Sequence, residues 1–363
     1  MTKKQMLLIT AYRPNAKNIG GPTGLIWEII QYLKRKNIEI DIEVKEISNN
    51  RFIRVLRRNG FYCFKHEGIS DKYDYVMVYP DDLLFFLRKD DWKRVIVLGP
   101  DSPAFRDARV LRTKKNIVSR WIKYIMLLRS KYNEYRALSC VINYIVVGNT
   151  DARYMKMNIL IKNNYNKKSK IIFLRHPVLS KVIGINKKEK SIIGKRFIFS
   201  ITPQAQNNDF MIEVIRYLKV YLKKSNLNVV LLGEVTKWMY PLFKSVENCS
   251  VEYVSWIENY KDICILEEDV HCLPLLSGAG TKNRTLTAYA SGLEIITTSI
   301  GAENIHWRGA KGIYITNRPK KFAELICKVN VDNISGMDIF ESRRESLEKT
   351  KNEFYSTLDF VFK

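Results

Sequence analysis

A chain of 363 residues is long for one hydrophobic core and suits two domains of common size. Its apolar content of 46% is that of a globular protein, and no apolar run reaches the ~18 residues that would predict a helical membrane span. Lys and Arg number 61 against 37 Asp and Glu, and the net charge of +24 favours a polyanion: nucleic acid, an anionic membrane face or phosphorylated substrates.

The opening, Met1 to Asn15, reads as a first strand over Met6–Ala11 and not as a secretion signal, so a cytosolic protein is expected. A glycine-bearing turn at Ile19–Thr23 leads into helical apolar spacing over Leu25–Leu33, with Pro22 at a first helical position. Strands are predicted at Ile38–Val44, Tyr75–Tyr79, Arg94–Leu98, Ile142–Val147 and Lys170–Leu174. Two intervening stretches, Arg51–Lys65 and Asn116–Arg136, are basic and aromatic. The second is either a core-facing helix with a solvated basic side or a helix that lies on anionic lipid. Leu179–Arg196 is rich in Lys, Ser and Gly, has no period, and reads as a linker. The pattern then restarts. Strands are predicted at Phe197–Ile201, Asn228–Leu232, Val251–Val254, Val270–Leu275 and Glu294–Thr298, with a helix at Asp209–Lys223 and a helical tail over Met337–Lys363. Continuous β-branched runs separated by amphipathic helices predict parallel sheets covered on both faces.

The chemistry concentrates between Asp269 and Glu303. An apolar strand is followed by a small-residue loop (Ser277–Thr281), a helix over about Lys282–Ser291, a turn at Gly292 and a second strand. Gly278 and Gly280 allow close backbone approach to a ligand, and the next helix aims its first amides at the loop. Lys282 opposes the helix dipole, which a neighbouring phosphate or diphosphate would explain. A glycine pair before a helix is by itself most often a tight turn. Neither a third glycine at dinucleotide spacing nor a G-x-x-x-x-G-K-[ST] loop is present. The six cysteines are scattered and read as reduced thiols, and the four histidines show no metal-ligand spacing.

The segment S-G-A-G-T-K-N-R-x-L-x-A-x-A-S-G-L-E-I-I-T-T-x-I-G-A-E resembles the donor site of GT-B glycosyltransferases of the family 4 type (glycosyl transferases group 1). Those commonly read G-A-G-x-K-x-K-x-L-E-A-M-A-x-G-x-P-V-V-x-T-x-x-G-x-E-G. The resemblance implies an α/β GT-B fold of two Rossmann-like domains with parallel sheets facing across a cleft. Residues 1–180 would form the acceptor side and 181–342 the nucleotide-sugar side, with a helix over about 343–363 packing back on the first domain. It implies donor contacts at Gly20, Gly21, Gly278, Ala279, Gly280, Thr281, Lys282, Asn283, Thr287 and Glu303, with no metal. Lys282 would stabilise the departing diphosphate, and Asp101 or its neighbour Ser102 would face the acceptor hydroxyl or cap the next helix.

Two departures from the family pattern stand out. Thr287 replaces a customary glutamate, and SITPQAQNNDF lacks the usual Arg and Lys after the first strand of the second domain. Asp151, in G-N-T-D-A, reads as a helix cap, and His176 could reach the cleft. Arg120, Trp121, Lys123 and Arg129 are the candidate acceptor or membrane contacts. The expected reaction moves a sugar from a nucleoside diphosphate sugar to a hydroxyl of a lipid-linked bacterial surface glycan, such as O-antigen or capsule, on the inner face of the membrane. Retention of configuration is implied, with departing-phosphate oxygens helping to deprotonate the acceptor, and no carboxylate stands out as nucleophile or base. A catalytically weakened GT-B-like partner protein and an RNA-binding protein are the rival readings.

Overall fold

The computed structural model describes residues 4–15, 22–45, 68–113, 116–160, 170–177, 194–201, 205–222, 226–257 and 260–363. The chain divides into two compact units: Met1–Pro177 with Ala279–Thr281 and Lys351–Lys363, and Val178–Gly278 with Lys282–Thr350. Gly20, Gly21, the Arg51–Lys65 stretch and most of the expected linker lie outside the described residues.

The first unit holds six strands: β1 (Gln5–Thr10), β2 (Glu39–Val44), β3 (Tyr75–Tyr79), β4 (Val95–Gly99), β5 (Asn143–Val146) and β6 (Lys170–Phe173). Their order is β2-β1-β3-β4-β5-β6, and every neighbouring pair is parallel. Parallel strands need crossover helices, which cover both faces, so β4 and β5 are buried throughout. Helices α1 (Pro22–Arg35), α2 (Pro103–Thr113), α3 (Ile117–Leu138) and α4 (Asn149–Leu160) supply that cover.

Helix α1 shows the local logic. Leu25, Ile26, Ile29, Ile30 and Leu33 recur on one face and are buried against Met6, Leu8, Met77 and Leu98. Each such side chain contributes about 1.5–3 kcal/mol of burial, as an upper figure. Asn37, at φ +56, ends the helix, with the Ile38 amide bonded to the Leu33 carbonyl at 3.1 Å. Phe354, Leu358 and Val361 complete the same core, and Tyr32 donates to Asp359 at 2.7 Å.

The second unit repeats the plan. Its strands are β7 (Arg196–Phe199), β8 (Leu227–Leu232), β9 (Cys249–Val254), β10 (Asp269–Leu273), β11 (Glu294–Thr297) and β12 (Ile313–Ile315). They run parallel in the order β12-β11-β10-β7-β8-β9. The helices are α5 (Ala205–Tyr221), α6 (Tyr240–Lys244), α7 (Asn283–Ala290), α8 (Pro319–Val331) and α9 (Gly336–Val361). Arg196, expected in the linker, instead begins β7, where it pairs with Asp269 of β10 at 2.8 Å. Lys195 likewise pairs with Glu294 of β11. Arg343 of α9 is fully buried and donates to the Tyr289 and Lys311 carbonyls.

Both strand orders reverse direction once. In the first unit the chain leaves β1 to one side for β2 and returns on the other for β3. In the second it leaves β7 for β8 and β9, then returns for β10. Loops at the carboxyl ends of β1 and β3, and of β7 and β10, therefore part from each other. Such switch points are where open parallel sheets bind ligands.

Candidate functional site

At the switch point of the second unit, the loop after β10 depends on its glycines. Gly278 (φ +124) and Gly280 (φ +67) hold left-handed conformations that other residues rarely adopt. Lys282 is the N-cap of α7, with φ −85 and ψ 97, so it precedes the helix; the sequence reading had placed it inside the first turn. Its side chain folds back over the loop: a Cβ on Gly278 would lie 3.4 Å from Lys282 Nζ. The first turn of α7 carries no acidic residue, and its amides have no partners within the helix. Ser277 and Thr285 are almost fully buried, and among the described residues no hydrogen bond reaches either hydroxyl. Arg284 reaches across to Ser200 Oγ at the end of β7. A cation thus stands where SITPQAQNNDF itself supplies none. The arrangement of one cation over a glycine loop, a helix start and a second cation suits a diphosphate.

The other donor candidates are placed as follows. Thr287 lies in α7 and spends its hydroxyl proton on the Asn283 carbonyl at 2.8 Å, so it can only accept from a ligand. Glu303 is half-buried in the turn after β11. That turn requires Gly301, whose Cβ would lie 1.9 Å from Thr297 Oγ1.

Residues 279–281 belong to the first unit. Thr281 Oγ1 donates to the Val147 carbonyl at 2.6 Å, and the Gly280 amide donates to Asp151 Oδ2 at 3.1 Å. The other oxygen of Asp151 accepts from the Ser102 amide at 2.8 Å. Asp151 was expected to cap a helix; buried in the first turn of α4, it fastens two distant segments. Gly148 makes room for it, since a Cβ there would lie 2.0 Å from Asp151 Oδ2.

The first unit has its own cavity of about 500 Å³ at the β1/β3 switch point. Tyr12 lines it after β1, Asp81 and Asp82 after β3, and Asp101 after β4. Asp101 pairs with Arg106 at 3.4 Å. Ser102 caps α2 by accepting from the Phe105 amide at 3.1 Å. It also donates to Glu134 Oε1 at 2.7 Å, and the Ala104 amide bonds that same oxygen. Burial pushes the Glu134 carboxyl up to about 8 against the pull of these bonds. Burial, and then the charge of Asp82, push Asp81 up to about 7, while a hydrogen bond from Tyr144 works the other way. His176 is buried, with Nδ1 against the Pro177 carbonyl, and burial lowers it to about 4, so it is neutral at physiological pH.

Helix α3 is inside out. Its inward positions (Ser119, Lys123, Leu127, Ser130, Glu134 and Ala137) recur at spacings of three and four and are mostly polar. Lys123 is bonded to Asp107 at 2.5 Å, and Arg129 lines the cavity. The outward face carries Ile117, Trp121, Ile122, Ile125 and Leu128, each about half or more exposed, together with exposed Arg120. Of the four candidate contacts on this helix, Arg120 and Trp121 face out, while Lys123 and Arg129 belong to the cavity wall. No described helix is long and apolar enough to cross a membrane.

The sequence reading missed Asp81, Glu134 and the Arg284–Ser200 contact. An Asp-Asp pair after a strand was the available signal for the first.

Residues 196–332 match the family "Glycosyl transferases group 1". No curated protein matches the sequence. Among solved structures, trehalose-6-phosphate synthase of Burkholderia multivorans is similar at TM-score 0.59 and 9% identity, over 100% of this chain and 97% of that one. WaaG, a glycosyltransferase involved in lipopolysaccharide biosynthesis, is similar at TM-score 0.57 and 10% identity, over 98% of both chains. HepE of Anabaena, in complex with UDP and glucose, is similar at TM-score 0.56 and 9% identity, over 99% of this chain and 98% of that one.

Proposed function

Taking as premise that this chain is a glycosyltransferase of GT-B type, with residues 196–332 matching glycosyl transferases group 1, we propose that it moves a sugar from a nucleoside diphosphate sugar to a hydroxyl of a membrane-held glycan. The observation that carries the donor half is Lys282 folded over Gly278 at the start of α7, with no acid in that first turn. As the glycosidic bond breaks, negative charge builds on the diphosphate. A lysine and amides already in place stabilise it without reorganising and without a metal. Gly278, Ala279, Gly280, Asn283 and Glu303 are the proposed donor contacts, around the loop after β10, the start of α7 and the turn after β11, with Thr281 and Thr287 as acceptors only. Gly20 and Gly21 remain proposed on the family resemblance, as does retention of configuration. The UDP and glucose named for HepE make UDP-glucose the first donor to try.

The membrane-held acceptor rests on α3. One helix lines the cavity with its polar side and turns an apolar side outward. A lipid-linked glycan could place its sugar on one side of that helix and its lipid on the other. Apolar side chains flanked by arginine suit the surface of an anionic bilayer, at the inner face of the membrane. The lipopolysaccharide role named for WaaG supports a surface glycan as the acceptor.

The test is thermal stabilisation by UDP, GDP, ADP, dTDP and CMP, measured on the native chain and on Lys282→Ala. A ligand that binds the native fold raises the midpoint by mass action. One nucleoside diphosphate is expected to stabilise the native chain and to do so far less in the variant. Equal stabilisation of both removes Lys282 from this role.

A further inference from the structure

The cavity at the β1/β3 switch point carries an acid that no basic group in its walls balances. Resting on the transfer reading above, we propose that this cavity recognises an amino sugar of the acceptor glycan and holds its free ammonium against Asp81. Every residue that lines the cavity, from Tyr12 to Tyr144, belongs to the first unit, so the recognition is complete within that unit.

The charges of the lining single out Asp81. Arg106 is paired with Asp101, and Lys123 with Asp107, which also accepts from Ser130. Arg129 and Asp82 add one charge of each sign. Burial keeps Glu134 protonated at neutral pH, and so uncharged. Asp81 is left over. Its Oδ2 accepts from the neutral Tyr144 hydroxyl at 3.0 Å, and among the described residues no cation forms an ion pair with it. Arg106 acts on it through space only. In a chain of net charge +24, a surplus acid inside a pocket is the unusual sign, and the ligand that answers it is a cation.

A ligand ammonium supplies what burial withholds. Desolvation, and then the charge of Asp82, push Asp81 up to about 7; Asp101 adds to this, while Tyr144 and Arg106 oppose it. The other titratable groups around it are Tyr79 and Tyr12 at the strand ends and Glu134 on α3, none of them a cation at neutral pH. An ammonium seated on Asp81 favours the ionised carboxylate and makes a charge-assisted hydrogen bond, the stronger kind. The rest of the lining suits a sugar. The cavity, about 500 Å³, has room for a pyranose ring, and Tyr12, Phe85 and Met126 set apolar surface beside the carboxyls. A pyranose likewise joins an apolar C–H face to a polar edge. Among the described residues no three acids, histidines or cysteines converge as metal ligands do, which favours an organic cation over a metal ion.

The test is isothermal titration calorimetry of the full chain without nucleotide, at about pH 6.5, where a sugar amine is charged. The probes are glucosamine and galactosamine, set against N-acetylglucosamine, N-acetylgalactosamine, glucose and glucuronic acid. At least one amine is expected to bind about tenfold or more tightly than its N-acetyl form. Its binding should release about half a proton, read from the dependence of the heat on the buffer's ionisation enthalpy, because Asp81 must ionise to receive it. The N-acetyl form should release none. Asp81→Asn keeps an oxygen for Tyr144; it should bring the amine down to the affinity of its N-acetyl form and abolish the proton release. Equal affinity of amine and N-acetyl forms overturns the proposal, as does a preference for glucuronic acid or the absence of amine binding below about 10 mM. An amine preference that survives in Asp81→Asn overturns it too. Proton release by the native chain needs no variant, so the proposal stays falsifiable even if Asp81→Asn misfolds. With no nucleotide present, failure of the donor reading in its own thermal test leaves this result standing.

Discussion

Gly148→Ala asks whether Asp151 is the fastener the structure implies. The φ of Gly148 is outside the left-handed region, so a methyl strains no backbone angle and the cost is steric. That methyl would sit 2.0 Å from Asp151 Oδ2, where real contacts need at least 3.0 Å. The carboxylate must withdraw, and its bonds to the Ser102 and Gly280 amides lengthen or break. Hydrogen bonds to a charged group are worth about 1.5–3 kcal/mol each, so losing both costs about 3–6 kcal/mol. Partial relaxation brings the expectation to about 3 kcal/mol, or a midpoint lower by roughly 6–12 °C for units of this size. Thermal and urea unfolding of the full chain, followed by circular dichroism, reads this. The decisive control is the double variant with Asp151→Ala. With the carboxyl group gone, the nearest atom left to the methyl is the Gly280 Cα, at 3.1 Å. Gly148→Ala should then cost under about 1 kcal/mol, a coupling of the size that contacting residues show. An equal cost in both backgrounds would refute the reasoning.

Three further outcomes are expected. Glu134 holds its proton in the folded chain up to about pH 8, whereas its unfolded form releases it near the ordinary glutamate value of 4.5. The folded state therefore binds more protons between those values, and stability falls as pH rises through them. Glu134→Gln mimics the protonated acid, so its advantage should be absent below pH 4.5 and grow to on the order of 5 kcal/mol above pH 8, as pH-dependent denaturation would show. Trp121→Ser with Ile125→Ser should weaken sedimentation with anionic vesicles by about 30-fold or more, from about 1–2 kcal/mol of lost burial per residue, with no change in melting. Arg343→Met should destabilise the second unit by about 2–4 kcal/mol, because the Tyr289 and Lys311 carbonyls lose their buried donor; unchanged melting would count against that interior bond set.

The two parallel sheets were readable because strands buried on both faces become continuous β-branched runs, as in Val95–Gly99 and Glu294–Thr297. β12 escaped notice: three half-buried residues carry no period. The loop at Gly278 and Gly280 announced itself through glycines that the backbone needs. Asp151 did not, because its partners lie 49 and 129 residues away and local spacing says nothing of them. Composition marked Asn116–Arg136 as basic and aromatic, but periodicity cannot say which face of a helix turns inward, and α3 turns the polar one. Asp81 looked like any acid in a turn. Its distinction is the pocket that β1, β4, β5 and α3 build around it, which exists only after folding.

Residues 351–363 supply Phe354, Leu358 and Val361 to the first unit's core, yet the ribosome makes them after the whole of the second unit. A nascent chain must therefore wait with Leu25, Ile29 and Leu33 incompletely covered until more than 170 further residues have emerged beyond Pro177. Folding of this protein is thus vectorial only for its second half. The first half matures last, and during that delay it is the part most in need of a chaperone.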